Sequence, residues 1–213
     1  MGAPEADNLP WPAVPDLRYP CVSLDPPWHF RSRAASQNPT FVRSPQKHYP
    51  TADLNHLKTL PVKEIAAPDA HVFLWITGPL AAQGVHNILF RAWGVKASSL
   101  AFVWIKLVSD FDERELLRTP LLDNDLAMGT GFTTRQNAEL CFLGRIGSPS
   151  RARADIRQVI ISRRREHSRK PEEYFKRVEL YCKGPRIDMF SGSAAKRPQW
   201  DAWGHPHRED RAA

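Results

Sequence analysis

Two six-residue runs, residues 71–76 (HVFLWI) and 100–105 (LAFVWI), constrain this chain most, because each is almost continuously apolar. A strand without alternating polar residues has no face to give to water, so the sheet that holds it must be covered on both sides. The intervening sequence supplies the cover. Residues 79–93 open on Pro79, set Ala81, Val85, Ile88, Leu89 and Ala92 on one helical face, and are followed by Gly94. Residues 171–181 begin with Pro171, carry Glu172 and Glu173 where the helix dipole favours negative charge, and place Tyr174, Val178 and Tyr181 in a stripe. Gly184-Pro185 then stops that helix. Residues 21–24, 139–143, 158–162 and 186–190 read as further strands. The pattern predicts an α/β fold with a three-layer sheet, whose ligands bind beyond the carboxyl ends of the strands. Asp25 and the residues after Ile76, Ile105 and Phe190 are expected to gather at that edge.

The chain has 213 residues, enough for one domain with a sizeable core. We expect that domain at residues 16–204, between an irregular, proline-bearing leader (1–15) and a polar tail (205–213). No apolar run reaches membrane-spanning length and no secretory signal opens the chain, which predicts a cytoplasmic protein. Cys21, Cys141 and Cys182 are far apart, odd in number and without a C-x-x-C, so they read as reduced packing residues, with no metal site. Trp75, Trp93 and Trp104 lie in apolar runs and read as core. Residues 107–124 read as an irregular, acidic loop.

Net charge is +7, and Arg151, Arg153, Arg157, Arg163, Arg164, Arg165, Arg169 and Lys170 crowd into one segment. Such a run suits the phosphate backbone of a nucleic acid or, equally, a solvated basic face.

Asp25-Pro26-Pro27-Trp28 follows the first strand directly, and its prolines, lacking N–H groups, end the ladder there. One reading is a proline-rich turn with a core tryptophan. The other is a site for methylating an exocyclic amine. Such an amine is a poor nucleophile, because its lone pair is delocalised into the ring. To attack a methyl sulfonium, its nitrogen must be held by acceptors that draw the hydrogens aside. The Asp25 carboxylate and a backbone carbonyl near Pro26, stiffened by Pro27, supply them and stabilise the charge that develops on nitrogen. Trp28 offers a face on which an extruded base can stack. No strong base is required, since the alkylated nitrogen releases its proton readily.

Together with residues 48–51 (HYPT), 73–77 (FLWIT), 165–173 (REHSRKPEE) and 200–204 (WDAWG), this string resembles the MT-A70 family of adenine-N6 methyltransferases, the compact bacterial and phage members in particular. The resemblance runs from about Tyr19 to Gly204 with the blocks in family order. It implies a Rossmann-like class I methyltransferase fold, with the catalytic Asp25-Pro26-Pro27-Trp28 motif N-terminal to the cofactor-binding strand, residues 186–190. By family position, S-adenosyl-L-methionine would be lined by Asp25, Pro26, Lys170, Phe190, Ser191, Gly192, Gly204 and His205. The substrate would meet Trp28, His48, Tyr49, Gly131, Arg135, Arg165 and His167, with residues 129–135 as a loop near the base. Read alone, Lys170 is a surface residue, Tyr49 a packing residue and His48 a turn cap.

The function so implied is methyl transfer to N6 of adenine in a nucleic acid, DNA favoured over RNA, by a monomer or dimer or with a partner subunit. Two alternatives stand beside it. One is an inactive nucleic-acid-binding or partner subunit, motivated by Phe190-Ser191-Gly192 and Gly204-His205-Pro206, where family members commonly carry F-A-R-like and W-G-N-E or W-G-N-Q sequences. The other is a methyltransferase acting on a non-polymeric amine or a protein amide.

Overall fold

In the computed structural model, which describes residues 8–28, 51–117, 120–129, 134–164, 169–190 and 197–203, the apolar runs are the centres of longer strands. The strands are β1 (Tyr19–Leu24), β2 (Ala66–Ile76), β3 (Lys96–Leu107), β4 (Ala138–Ile146), β5 (Val159–Arg163), β6 (Arg186–Met189) and β7 (Trp200–Trp203). Helices α1 (Leu54–Lys58) and α2 (Val62–Ile65) follow β1, α3 (Gly78–Ala82) and α4 (Val85–Ala92) follow β2, and α5 (Glu172–Tyr181) precedes β6.

The strands form one sheet in the order β5-β3-β4-β2-β1-β6-β7. Pairing is parallel throughout except for β4, which runs antiparallel to β2 and β3. The carboxyl ends of six strands therefore share one edge with the amino end of β4. From β1 the chain leads towards β2, and from β6 it leads away towards β7. The connections diverge between β1 and β6, and a crevice at the carboxyl edge follows from that topology.

The two-residue period of β1 divides the core. Val22 and Leu24 join Val72, Leu74 and Ile76 under Leu57, Ile65 and Leu89 of α1, α2 and α4. Cys21 joins Phe73, Trp75 and Phe102 on the other face, under Tyr174 and Val178 of α5. Helices thus cover both faces, as the unbroken apolar runs require. Trp75, Trp93 and Trp104 are buried, and the three cysteines are free and buried.

Four features differ from the sequence reading. The helix expected over 79–93 is two helices, because Gly84 adopts a left-handed conformation (φ 72°) between α3 and α4. The break rotates the second helix, so that α4 buries Val85, Leu89 and Phe90 and leaves Ile88 exposed. Among the described residues, the connections on either side of β4 contain no α-helix; the first carries 3-10 turns at Glu113–Leu117 and Asp123–Asp125. An antiparallel neighbour can be reached without the crossover helix a parallel one requires. β7 and the short helices α1 and α2 were not expected, since four or five residues carry too little periodicity to register. The strand expected to Phe190 stops at Met189, because Phe190 itself has φ 72°.

Residues 8–15 hold no helix or strand but are tied down. Asn8 Nδ2 donates to Asp53 Oδ2 (2.9 Å), Trp11 Nε1 to Thr59 Oγ1 (3.0 Å), and Trp203 Nε1 to the Ala13 carbonyl (2.9 Å). Among the described residues, no helix is long and apolar enough to cross a membrane.

Candidate active site

The ladder of β1 ends where Pro26 and Pro27 remove its donors. The Asp25 N–H still reaches the Met189 carbonyl at 3.4 Å. Beyond it the Trp28 N–H donates to the Pro26 carbonyl (2.8 Å) and the Ala52 N–H to the Pro27 carbonyl (2.9 Å). The turn is thus stiffened by two rings and two hydrogen bonds, and the Pro26 oxygen keeps a second lone pair.

Asp25 projects into a row of alternating charges. Lys170 Nζ donates to Asp25 Oδ2 at 2.6 Å and lies 3.1 Å from Glu139 Oε2. Glu139 Oε1 accepts from Lys106 Nζ. Lys170 sits over the Trp75 ring (5.3 Å) and Lys106 over the Trp104 ring (4.7 Å). The sheet edge explains the gathering: Asp25 follows β1, Lys106 is next to last in β3, Glu139 is second in the antiparallel β4, and Lys170 lies just before α5. Lys170 is only 8% exposed. A cation so placed is tolerable because two carboxylates face it.

Burial pushes the Asp25 carboxyl upward, and Glu139 adds to the rise against the pull of Lys170. Burial acts on Glu139 in the same sense, but Lys170 and Lys106 outweigh it and hold that carboxyl down to about 2. Burial disfavours the Lys170 ammonium, yet Asp25 and Glu139 hold it well above its ordinary value. Behind the row, Ser23 Oγ–H donates to Asp188 Oδ1 (2.8 Å) and the Tyr174 hydroxyl to Ser23 Oγ (2.8 Å). Burial, reinforced by the Asp25 charge, pushes Asp188 up to about 7.

At the carboxyl ends of β6 and β7, the Phe190 N–H donates to the Trp203 carbonyl (2.6 Å). Trp11 packs edge-on against Phe190 (5.7 Å), near Trp203 (6.3 Å), and stacks on His56 (4.2 Å). The carboxyl edge therefore brings together a carboxylate, an ammonium, a proline carbonyl and an aromatic group. Trp28 Nε1 and Trp75 Nε1 are buried donors without a partner among the described residues. A charged acceptor and donor near aromatic side chains suit a polar ligand that carries charges and a planar ring.

Of the expected site residues, Asp25, Pro26, Pro27, Lys170 and Phe190 come together at this edge. Arg135 is exposed on the segment leading into β4. Trp28 is 6% exposed and packs with the core, as in the reading of a proline-rich turn with a core tryptophan. His48, Tyr49, Gly131, Arg165, His167, Ser191, Gly192, Gly204 and His205 lie outside the described residues. The basic run is not one patch, because β5 divides it. Arg151, Arg153 and Arg157 precede that strand, Arg163 and Arg164 end or follow it at the carboxyl edge, and Lys170 is buried. Glu139, Lys106, Asp188, Ser23 and Tyr174 were not foreseen. The available signal was a charged residue abutting a strand at the expected edge, as Lys106 does after residues 100–105.

The sequence model of the MT-A70 family matches residues 19–206. The chain is 29% identical over 208 residues to the type II methyltransferase M.MunI of Mycoplasma sp, covering 91% of this chain and 80% of that protein. It is 25% identical over 190 residues to a putative N(6)-adenosine-methyltransferase MT-A70-like protein of Medicago truncatula, covering 88% of this chain and 26% of the relative. It is 27% identical over 164 residues to the N6-methyladenosine RNA methyltransferase MTA1 of Cryphonectria parasitica, covering 72% of this chain and 41% of the relative. The chain thus spans most of the bacterial relative and less than half of the plant and fungal ones.

Proposed function

The chain belongs to the MT-A70 family, and from that premise we propose that it transfers a methyl group to N6 of adenine in a nucleic acid, on a class I methyltransferase fold. The observation that carries this reading is Asp25, fixed by Lys170 at 2.6 Å beside a rigid proline carbonyl, where β1 and β6 diverge.

S-adenosylmethionine, when bound, supplies an electrophilic methyl group on sulfonium. Asp25, Pro26, Lys170 and Phe190 would hold it, with Ser191, Gly192, Gly204 and His205 assigned by sequence position. The protein's part is to prepare the amine. One N–H of the exocyclic nitrogen donates to the Asp25 carboxylate and the other to the Pro26 carbonyl, which turns the lone pair out of the ring. Both acceptors are set beforehand, Asp25 by Lys170 and Pro26 by the Trp28 N–H, so little reorganisation is required as positive charge grows on nitrogen. Glu139 and Lys106 hold Lys170 in turn. The proton lost after alkylation requires no strong base. His48, Tyr49, Gly131, Arg135, Arg165 and His167 are assigned to the substrate side.

DNA is favoured over RNA, because the resemblance to compact bacterial members covers nearly the whole chain and the type II methyltransferase is spanned over 80% of its length. Asp25→Ala should lower methyl transfer to adenine-containing oligonucleotides by on the order of 10²–10³-fold. S-adenosylmethionine binding, measured calorimetrically, should survive at least in part. Unchanged transfer in the variant would sink the assignment, and absence of cofactor binding by the wild type would point to an inert subunit.

A further inference from the structure

At the edge of the sheet opposite Asp25, a cavity of about 230 Å³ lies on the α5 face, and we propose that it binds a phosphate-type oxyanion. Arg145, Arg151, Ser98, Tyr181 and His71 line it above Leu143. His71 and Arg145 are direct cross-strand partners in the β2–β4 register, so their side chains leave the same face. His71 is 6% exposed, and its Nδ1 meets Cys182 Sγ at 3.5 Å, which leaves Nε2 as the nitrogen to meet a ligand. The lining thus draws on two arginines, a serine, a tyrosine and a histidine, with Leu143 and Pro149, and on no acidic residue among the described residues.

Charge pairing sets these arginines apart from their neighbours. Arg153 pairs with Asp155 through Nε and Nη2, Arg177 with Glu173 at 2.9 Å, and Arg197 with Glu179 at 2.9 Å. Arg145 and Arg151 are exposed and form no ion pair with any described carboxylate. Two arginines on the lining of one hollow that has no carboxylate among its lining residues suit an oxyanion, which can accept their planar forks. The carboxyl end of α5 would oppose an anion here, but its carbonyls are covered. Arg186 donates to the Glu179 carbonyl (3.1 Å) and the Cys182 carbonyl (2.5 Å), and the Ala152 N–H to the Tyr181 carbonyl (2.8 Å).

Size narrows the ligand. The cavity holds several times the volume of one water, about 30 Å³. It falls short of the roughly 300 Å³ at which pockets enclose whole small molecules. That suits one phosphate group with its solvation. His71 and Ile76 are five residues apart on β2, and at ~3.3 Å per residue the cavity lies on the order of 17 Å from the carboxyl edge. It is therefore separate from the methyl-transfer centre. The phosphate has two sources: the backbone of a nucleic acid that reaches round the domain, or free inorganic phosphate.

Arginine Nε–Hε resonances report on the site directly and independently of methyl transfer, so an inactive enzyme would not obscure the outcome. Titration of the full chain with inorganic phosphate at constant ionic strength should shift the Arg145 and Arg151 signals saturably. Arg145→Gln and Arg151→Gln, both at exposed positions, should each weaken binding at least tenfold while leaving the circular dichroism spectrum unchanged. If an oligonucleotide without terminal phosphates shifts the same signals and inorganic phosphate competes with it, the backbone is the source. If only inorganic phosphate shifts them, the free anion is. No saturable shift with either probe, or equal affinity in both variants and wild type, would overturn the proposal.

Discussion

Asp188 and Glu139 are neighbours of one site that titrate in opposite senses. In the unfolded chain Asp188 ionises near 3.9, whereas in the fold burial pushes it up to about 7. Between those values the folded protein keeps a proton that the unfolded chain has released. Its contribution to stability therefore falls as pH rises from about 4 to about 7, by on the order of 4 kcal/mol at most, and is level above that. Glu139, held down to about 2 by Lys170 and Lys106 against its burial, adds stability that is present above about 4.5 and lost as pH falls towards 2. The two windows hardly overlap. Asp188→Asn keeps an acceptor for the Ser23 hydroxyl and removes the titration. Urea midpoints of that variant should show most of the decline between pH 4.5 and 7.5 abolished. A decline as steep as in the wild type would mean that Asp188 is ionised throughout.

At the level of elements, two glycines test how β4 and α4 are fitted to the sheet. A Cβ on Gly144 of β4 would meet Val95 Cγ1 at 2.4 Å, with Phe90 Cε2 and the Lys96 carbonyl at 3.3 Å. Val95 and Phe90 are buried and cannot yield cheaply, so Gly144→Ala should cost about 1–3 kcal/mol. A Cβ on Gly84 would meet nothing within 4 Å, but the residue sits at φ 72°, so Gly84→Ala should cost only the backbone penalty, about 1 kcal/mol. Chemical denaturation of both variants checks the order, and a larger loss for Gly84→Ala would contradict it. Legibility follows the same division. The β2 and β3 runs and α5 were readable because long apolar runs, and an apolar stripe with its own start and stop signals, mark themselves in sequence. The break at Gly84 was not, since an apolar stripe continues across a left-handed glycine without a mark in composition. β7 was missed because four residues with two outward positions look like loop. Asp25 and Lys170 were legible from their motifs, whereas Glu139 and Asp188 became site residues only when an antiparallel strand and a switch in connectivity brought them to the crevice.

Across the whole molecule, function and topology meet at the carboxyl edge. The ends of β1 and β3, the start of β4 and the segment before α5 deliver Asp25, Lys106, Glu139 and Lys170 there, so the charged row exists only when these elements are assembled. The basic run that suggested a single nucleic-acid footprint is instead shared between that edge and the opposite one, where Arg151 lines the remote cavity. On the proposed function, the carboxyl edge methylates N6 of adenine in a nucleic acid, with Asp25 as the acceptor that prepares the amine. The direct test gives the wild type and Asp25→Asn labelled S-adenosylmethionine with matched single-stranded DNA, duplex DNA and RNA, followed by nucleoside analysis. The expected result is N6-methyladenine from the wild type, most of it in DNA, and on the order of 10²–10³-fold less from Asp25→Asn. Label on any other nucleoside, or equal N6-methyladenine from both proteins, would contradict it.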